Sequence, residues 1–225
     1  MSYLILILPA LLLSMYAQFK VKSTFEKYSR VRASRGISGA EVAGTILRRN
    51  GMAGKVSVQP VRGSLSDHYD PRDYTVRLSE TVYGHNSIAA IGVAAHEVGH
   101  AIQHHQQYGP LELRHRMVPV TNFASSASFP ILLVGMLMQN MGWVFLGIVL
   151  FSAVVLFHVV TLPVELNASR RAVVQLQEAG LVTSDEVPMV KEVLSAAAFT
   201  YIAATLAAIA NLLYYIMIFA GGDDN

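Results

Sequence analysis

The chain has 225 residues, of which 53% are apolar and only 14% charged. A soluble domain carries about a quarter charged residues, so this composition excludes an ordinary soluble surface and points to a bilayer. A net charge of +2 removes the electrostatic case for a nucleic-acid partner. The absence of cysteine excludes disulfides and thiolate ligands, which leaves His, Asp, Glu and solvent for any metal.

Tyr3 to Phe19 is nearly free of charge and of a length that approaches the roughly 20 residues of a membrane helix, although Pro9 interrupts it. No basic residue precedes it and Lys20, Lys22, Lys27, Arg30, Arg32 and Arg35 follow. That order argues for a retained anchor rather than a cleaved signal peptide. It also predicts residue 20 onward inside the cell, because short cytoplasmic segments gather Lys and Arg. Residues 20–35 read as a basic interfacial segment.

Ser38 and Glu41 make a capping-box pattern, which predicts a helix to about Asn50 with Gly51 as its stop. Lys55 to Val61 alternates and predicts a strand. Ser64 to Asp73 is rich in turn residues, and Tyr74 to Ser79 alternates again as a second strand. Asn86 or Ser87 caps a long helix from Ile88 to about Tyr108, closed by Gly109-Pro110. Val118–Met138 and Met141–Val164 then form a tight transmembrane hairpin around Gln139 and Asn140. A last span runs from Leu194 to Gly222. All 17 Lys and Arg fall within residues 20–116 or 170–191, the two segments this topology places inside. The acidic pair Asp223 and Asp224 falls outside with both termini.

Residues 96–100 read H-E-V-G-H. On a helix His96 and His100 share one face a turn apart and can offer two imidazoles to one ion. Glu97, rotated by about 100° from His96, can take a proton from water on the open side of the ion. Gly99 in mid-helix weakens the helix by up to about 1 kcal/mol relative to Ala, which implies a packing or access requirement. A catalytic zinc needs a third protein ligand and an open position. His104 lies about 12 Å along the axis from His96, so three such ligands on one straight helix cannot close a tetrahedron. His104 and His105 therefore read as rim residues. Glu165 is the better third ligand: it ends the third span on the same predicted side as the two histidines, and a carboxylate at a membrane boundary is costly unless it faces a partner. His158 and Asn211, inside spans, read as interhelical hydrogen-bonding groups.

Four segments, S-D-H-Y-D-P-R-D-Y-T-V-R-L-S at 66–79, A-A-H-E-V-G-H-A-I-Q at 94–103, L-P-V-E-L-N-A-S-R-R-A at 162–172 and V-L-S-A-A-A-F-T-Y at 193–201, closely resemble the YugP-like neutral zinc metallopeptidases of bacterial membranes. A more distant similarity is to HtpX-type and CAAX prenyl-protease-type membrane peptidases. Their second motif is E-x-x-x-D, with the Glu as zinc ligand and the Asp supporting a zinc histidine. Glu165 matches that Glu, whereas Ser169 stands at the Asp position. A serine hydroxyl can hydrogen-bond an imidazole but carries no charge, and such partners change activity by about 10- to 100-fold.

The expected fold is mainly α, with about four transmembrane helices and a small α+β zincin-like cytoplasmic domain. The boundaries are 1–19 for an N-terminal anchor, 20–117 for the catalytic domain, 118–164 for a transmembrane hairpin, 165–193 for a cytoplasmic segment carrying the third ligand, and 194–225 for a last helix and tail. The expected activity is a zinc endopeptidase with one Zn²⁺ per chain, acting on membrane-associated or unfolded proteins at the cell membrane. The alternative is a zinc-binding membrane scaffold with little turnover. Oxyanion donors are open among His68, Arg170 and Arg171, and Thr75, Val76, Arg77 and Leu78 are candidates for binding substrate by strand addition. Runs of alanine at 196–198 and 203–204 suit helix packing in a homo-oligomer or against a regulatory membrane partner.

Overall fold

A computed structural model describes residues 3–221; Asp223, Asp224 and the two termini lie outside the described residues. The element order is α1 (Tyr3–Ser29), α2 (Gly39–Arg49), β1 (Ser57–Val61), β2 (His68–Asp70), β3 (Thr75–Ser79), α3 (Glu80–Tyr83), α4 (Ile88–His105), α5 (Gly109–Leu137), α6 (Met141–Glu178) and α7 (Glu186–Gly221). Helices dominate. Four of them, α1, α5, α6 and α7, are long and apolar enough to cross a membrane.

The chain divides into two compact units. The first comprises residues 1–17, 109–163 and 200–225 and holds the apolar parts of the long helices. Within it α5 and α6 approach closely. A Cβ on Gly135 would fall 2.6 Å from the backbone nitrogen of Val144, and one on Gly147 would overlap Leu132. The hairpin between them turns on Gln139 at φ 52°, and the Asn140 side-chain oxygen (Oδ1) accepts from the backbone N–H groups of Gly142 and Trp143. Leu12, Phe123, Phe129, Leu137, Phe145 and Leu213 are exposed, an apolar outer surface of the kind that a hydrocarbon solvent accepts.

The second unit comprises residues 18–108 and 164–199. Its core surrounds α4: Val42 and Ile46 of α2, Val76 and Leu78 of β3, Ile88, Ile91 and Val98 of α4 and Leu176 of α6 are fully buried. The capping box at the start of α2 is complete, with the Ser38 hydroxyl accepting from the Glu41 N–H and the Glu41 carboxylate accepting from the Ser38 N–H. Gly51, at φ 68°, takes the left-handed turn that ends this helix.

Several local expectations change. The basic stretch after Phe19 continues α1 as far as Ser29. Gly109-Pro110 opens α5: Pro needs no N–H partner in a first turn, so the pair separates two helices by starting the second. α6 passes Pro163 without a break and runs to Glu178. Residues 68–70, within the stretch read as turns, form β2. The sheet order is β1-β3-β2, with β1 parallel and β2 antiparallel to β3. Pro60 sits in an edge strand, where a missing N–H is tolerated. β3 is central, so the backbone of Thr75, Val76 and Arg77 is paired on both sides, and Leu78 is fully buried. Strand addition of a substrate to Thr75–Leu78 is therefore ruled out.

Candidate metal centre

α4 begins with the Ser87 hydroxyl accepting from the Ala90 N–H and carries His96, Glu97 and His100 through the middle of the second unit. α6 supplies Glu165 one turn into its C-terminal half. What brings the two helices together is Gly99. A Cβ there would fall 2.7 Å from the backbone oxygen of Ala168, so hydrogen is the only substituent that fits. Ala168 lies between Glu165 and Ser169 in the chain, and its close approach places both side chains beside the two histidines.

The result is a convergent donor set. One ligand atom from each of His96, His100 and Glu165 lies within 4.8 Å of the others. The Glu165 Oε2 atom is 3.3 Å from His96 Nε2 and 3.5 Å from His100 Nε2. The carboxylate is nearly buried, with 3% of its side chain exposed, against 14% and 11% for the histidines. The rings of His96 and His100 meet edge to face with centroids 4.8 Å apart. Each turns its Nε2 inward and its Nδ1 onto a neutral partner. For His96 this is the Ser169 hydroxyl at 3.1 Å, and for His100 it is the Gln103 side-chain oxygen at 3.0 Å. Two imidazoles and one carboxylate with inward donor atoms match the ligand set of a catalytic zinc and leave a fourth position open.

Glu97 is buried beside this set, with 8% exposure. Burial pushes its carboxyl up to about 7, and the charges of Glu165 and Asp67 push the same way; His96 and a backbone hydrogen bond from Tyr69 act against them. β2 thus lies along the Glu97 side of α4. The Tyr69 hydroxyl is 2.9 Å from His104 Nδ1, and the Tyr74 ring stacks on the same imidazole at 5.3 Å. Asp67 anchors the start of β2 to the end of β3, accepting from the N–H and the hydroxyl of Ser79.

The other sequence candidates are not brought to the donor set. His68 is exposed and its Nδ1 meets the Ser66 carbonyl at 2.8 Å. Arg170 is exposed. Arg171 donates to Asn167 and Gln106 and lies over the Tyr108 ring. His104 is half-buried between two tyrosines and His105 is exposed, so neither reaches the place of a third ligand. Sequence reading passed over Gln103, Asn167 and Tyr69. Gln103 had one available signal: it is polar at i+3 from His100, on the buried side of an otherwise apolar helix.

A family model described as "Putative neutral zinc metallopeptidase" matches residues 3–220. Over 224 residues the chain is 53% identical to the "Putative membrane protease YugP" of Bacillus subtilis (strain 168), an alignment spanning 100% of this chain and 99% of that protein. No solved structure matches the chain.

Proposed function

Since the chain belongs to this neutral zinc metallopeptidase family, we propose that it is a membrane-anchored zinc endopeptidase that hydrolyses peptide bonds of membrane-associated or unfolded proteins. The observation that carries the reading is the convergence of His96, His100 and Glu165 within 4.8 Å, with a second, buried carboxylate next to them in the chain. These three residues would hold one Zn²⁺, which when bound supplies Lewis acidity toward water and a peptide carbonyl.

The chain's own residues have distinct parts. Glu165 brings one negative charge to the site. Its Oε2 lies close to both inward-facing imidazole nitrogens, so the donor set is already gathered by packing. Ser169 and Gln103 hold the two rings in place from behind. Glu97 accepts a proton on its carboxylate from the attacking water and returns it to the leaving amine nitrogen. Its burial excludes competing solvent.

The four apolar helices support residence in a membrane, and the distribution of Lys and Arg in the sequence supports a multi-pass chain with the site facing the cytoplasm and both termini outside. A zincin-like cytoplasmic domain of residues 20–117, completed by 165–193, is the corresponding division of labour.

The test is cleavage of an unfolded protein by purified chain, wild type beside Glu97→Gln, with zinc measured in both. Cleavage by wild type alone, with about one zinc in each, is expected from the ligand set. Zinc in both without cleavage by either favours the scaffold alternative, for which Ser169 in place of a carboxylate is the motivating feature. Absence of zinc from wild type refutes the metal site itself.

A further inference from the structure

We propose that Gln103, oriented by the Val164 backbone oxygen and by Asn167, whose amide Arg171 turns, sets the tautomer of His100, so that the Nε2 lone pair faces the metal position. The inference rests on the metal-site reading of His96, His100 and Glu165, and makes Gln103, Asn167 and Arg171 positioning residues.

Donors and acceptors alternate from Arg171 to His100. A guanidinium only donates. Arg171 Nε lies 2.7 Å from Asn167 Oδ1, so the amide of Asn167 must turn its oxygen, not its nitrogen, toward Arg171. The same oxygen lies 2.9 Å from Gln103 Nε2, and the backbone oxygen of Val164 lies 2.8 Å from it. Both neighbours are acceptors, so the Gln103 nitrogen must occupy that position and donate to both. Gln103 is 0% exposed, which leaves no water to satisfy the reversed amide. Its oxygen is therefore directed at His100 Nδ1, 3.0 Å away, a closer acceptor than the Glu165 oxygen 3.5 Å from Nε2, and it draws the hydrogen to Nδ1. A neutral imidazole protonated on Nδ1 has its lone pair on Nε2, the atom that faces Glu165.

His96 receives no such instruction. Its Nδ1 partner is the Ser169 hydroxyl, which can donate or accept. The two histidines are thus organised differently: one by partners of fixed polarity, a backbone carbonyl and an amide held by a permanent cation, the other by a hydroxyl that adapts. Arg171 also donates to the Gln106 side-chain oxygen at 2.6 Å. That bond lies off the path and provides a control.

The experiment measures zinc affinity by competition with a chromophoric chelator, on the full chain in detergent, together with the His100 tautomer from nitrogen-15 shifts of the zinc-free protein at about pH 9, above the usual imidazole range. Gln103→Leu should weaken zinc on the order of 10-fold and convert His100 from the Nδ1–H form to a mixture, and Asn167→Leu and Arg171→Leu, which leave the Val164 acceptor in place, should move both readouts the same way by less. Asn167→Asp keeps the acceptor oxygen and should retain wild-type affinity or exceed it. Gln106→Ala removes the off-path bond and should leave both readouts unchanged. The proposal is overturned if wild-type His100 carries its hydrogen on Nε2, if Gln103→Leu or Arg171→Leu alters neither readout, or if Asn167→Asp or Gln106→Ala weakens zinc as much as Asn167→Leu. Wild-type protein that binds no zinc would refute the metal site, whereas the tautomer series still decides the positioning path.

Discussion

Gly99→Ala separates intrinsic helix preference from the geometry of the site. In an isolated helix alanine is favoured over glycine by about 1 kcal/mol, so helix propensity alone predicts a gain in stability. In the fold the new Cβ falls 2.7 Å from the Ala168 carbonyl oxygen, where ordinary contact begins at 3.4 Å. The obstacle is backbone, so α4 and α6 must separate by about 0.7 Å, the difference of those two distances. Overpacking of this kind costs about 1 to 3 kcal/mol, which leaves a net loss of up to about 2 kcal/mol once helix propensity is counted. The larger effect falls on the donor set. Glu165 moves with α6 while His96 and His100 stay on α4, and metal sites tolerate displacements of only about 0.2 Å. Zinc affinity should therefore fall by about 10- to 100-fold, the range for disturbed support of metal ligands. Chelator competition reads the affinity and a thermal unfolding curve reads the stability. A variant that is more stable than wild type and binds zinc equally well refutes the close approach of Gly99 to Ala168 as the cause of the assembled site.

Other outcomes follow from single contacts. Ser169→Asp offers the His96 Nδ1–H a charged acceptor in place of a hydroxyl 3.1 Å away and should tighten zinc on the order of 10-fold; unchanged or weaker binding in the same competition assay counts against Ser169 as the support of His96. Ser38→Ala removes one half of the capping box and should cost about 1 kcal/mol in a denaturant titration with no change in zinc affinity, because α2 contributes no ligand. Asp70 is held well below the usual carboxylate range, first by hydrogen bonds from the Arg72 side chain and backbone, then by the charges of Arg72 and Arg77. A depressed folded value means that the stabilisation is present above the unfolded value of about 3.9 and disappears as pH falls through the folded one. Wild type should thus unfold at higher temperature than Asp70→Asn near neutral pH, with the difference vanishing in strong acid. A gap that persists unchanged at the lowest pH rules out this linkage.

The features that were legible in the sequence depend on neighbours close in the chain. The capping box of Ser38 and Glu41 and the H-E-V-G-H spacing each act within one or two helical turns, and the four long apolar stretches are contiguous runs, so a spacing or a run length records them directly. Boundaries were less legible. Gly109-Pro110 punctuates two helices whichever of them it belongs to, and the basic residues after Phe19 have no local reason to end α1. β2 was missed because a three-residue strand has too little alternation to register and exists only through its pairing with β3.

The candidate site divides in the same way. His96, Glu97 and His100 follow from local spacing, and Glu165 from the rarity of a carboxylate at the end of an apolar stretch. The sequence by itself determines the apolar helices, the helix that carries the motif and the types of group available to a metal. The tertiary structure alone decides that Gly99 admits the backbone at Ala168, that β3 is paired on both edges and closed to a further strand, and that Arg171 faces Asn167 rather than the donor set. Gln103 acquires its part only because two acceptors from α6, 61 and 64 residues away in the chain, fix which way its amide points. Hydrogen-bond polarity and close approach are relations between groups distant in sequence, and they come into existence only when the chain has folded.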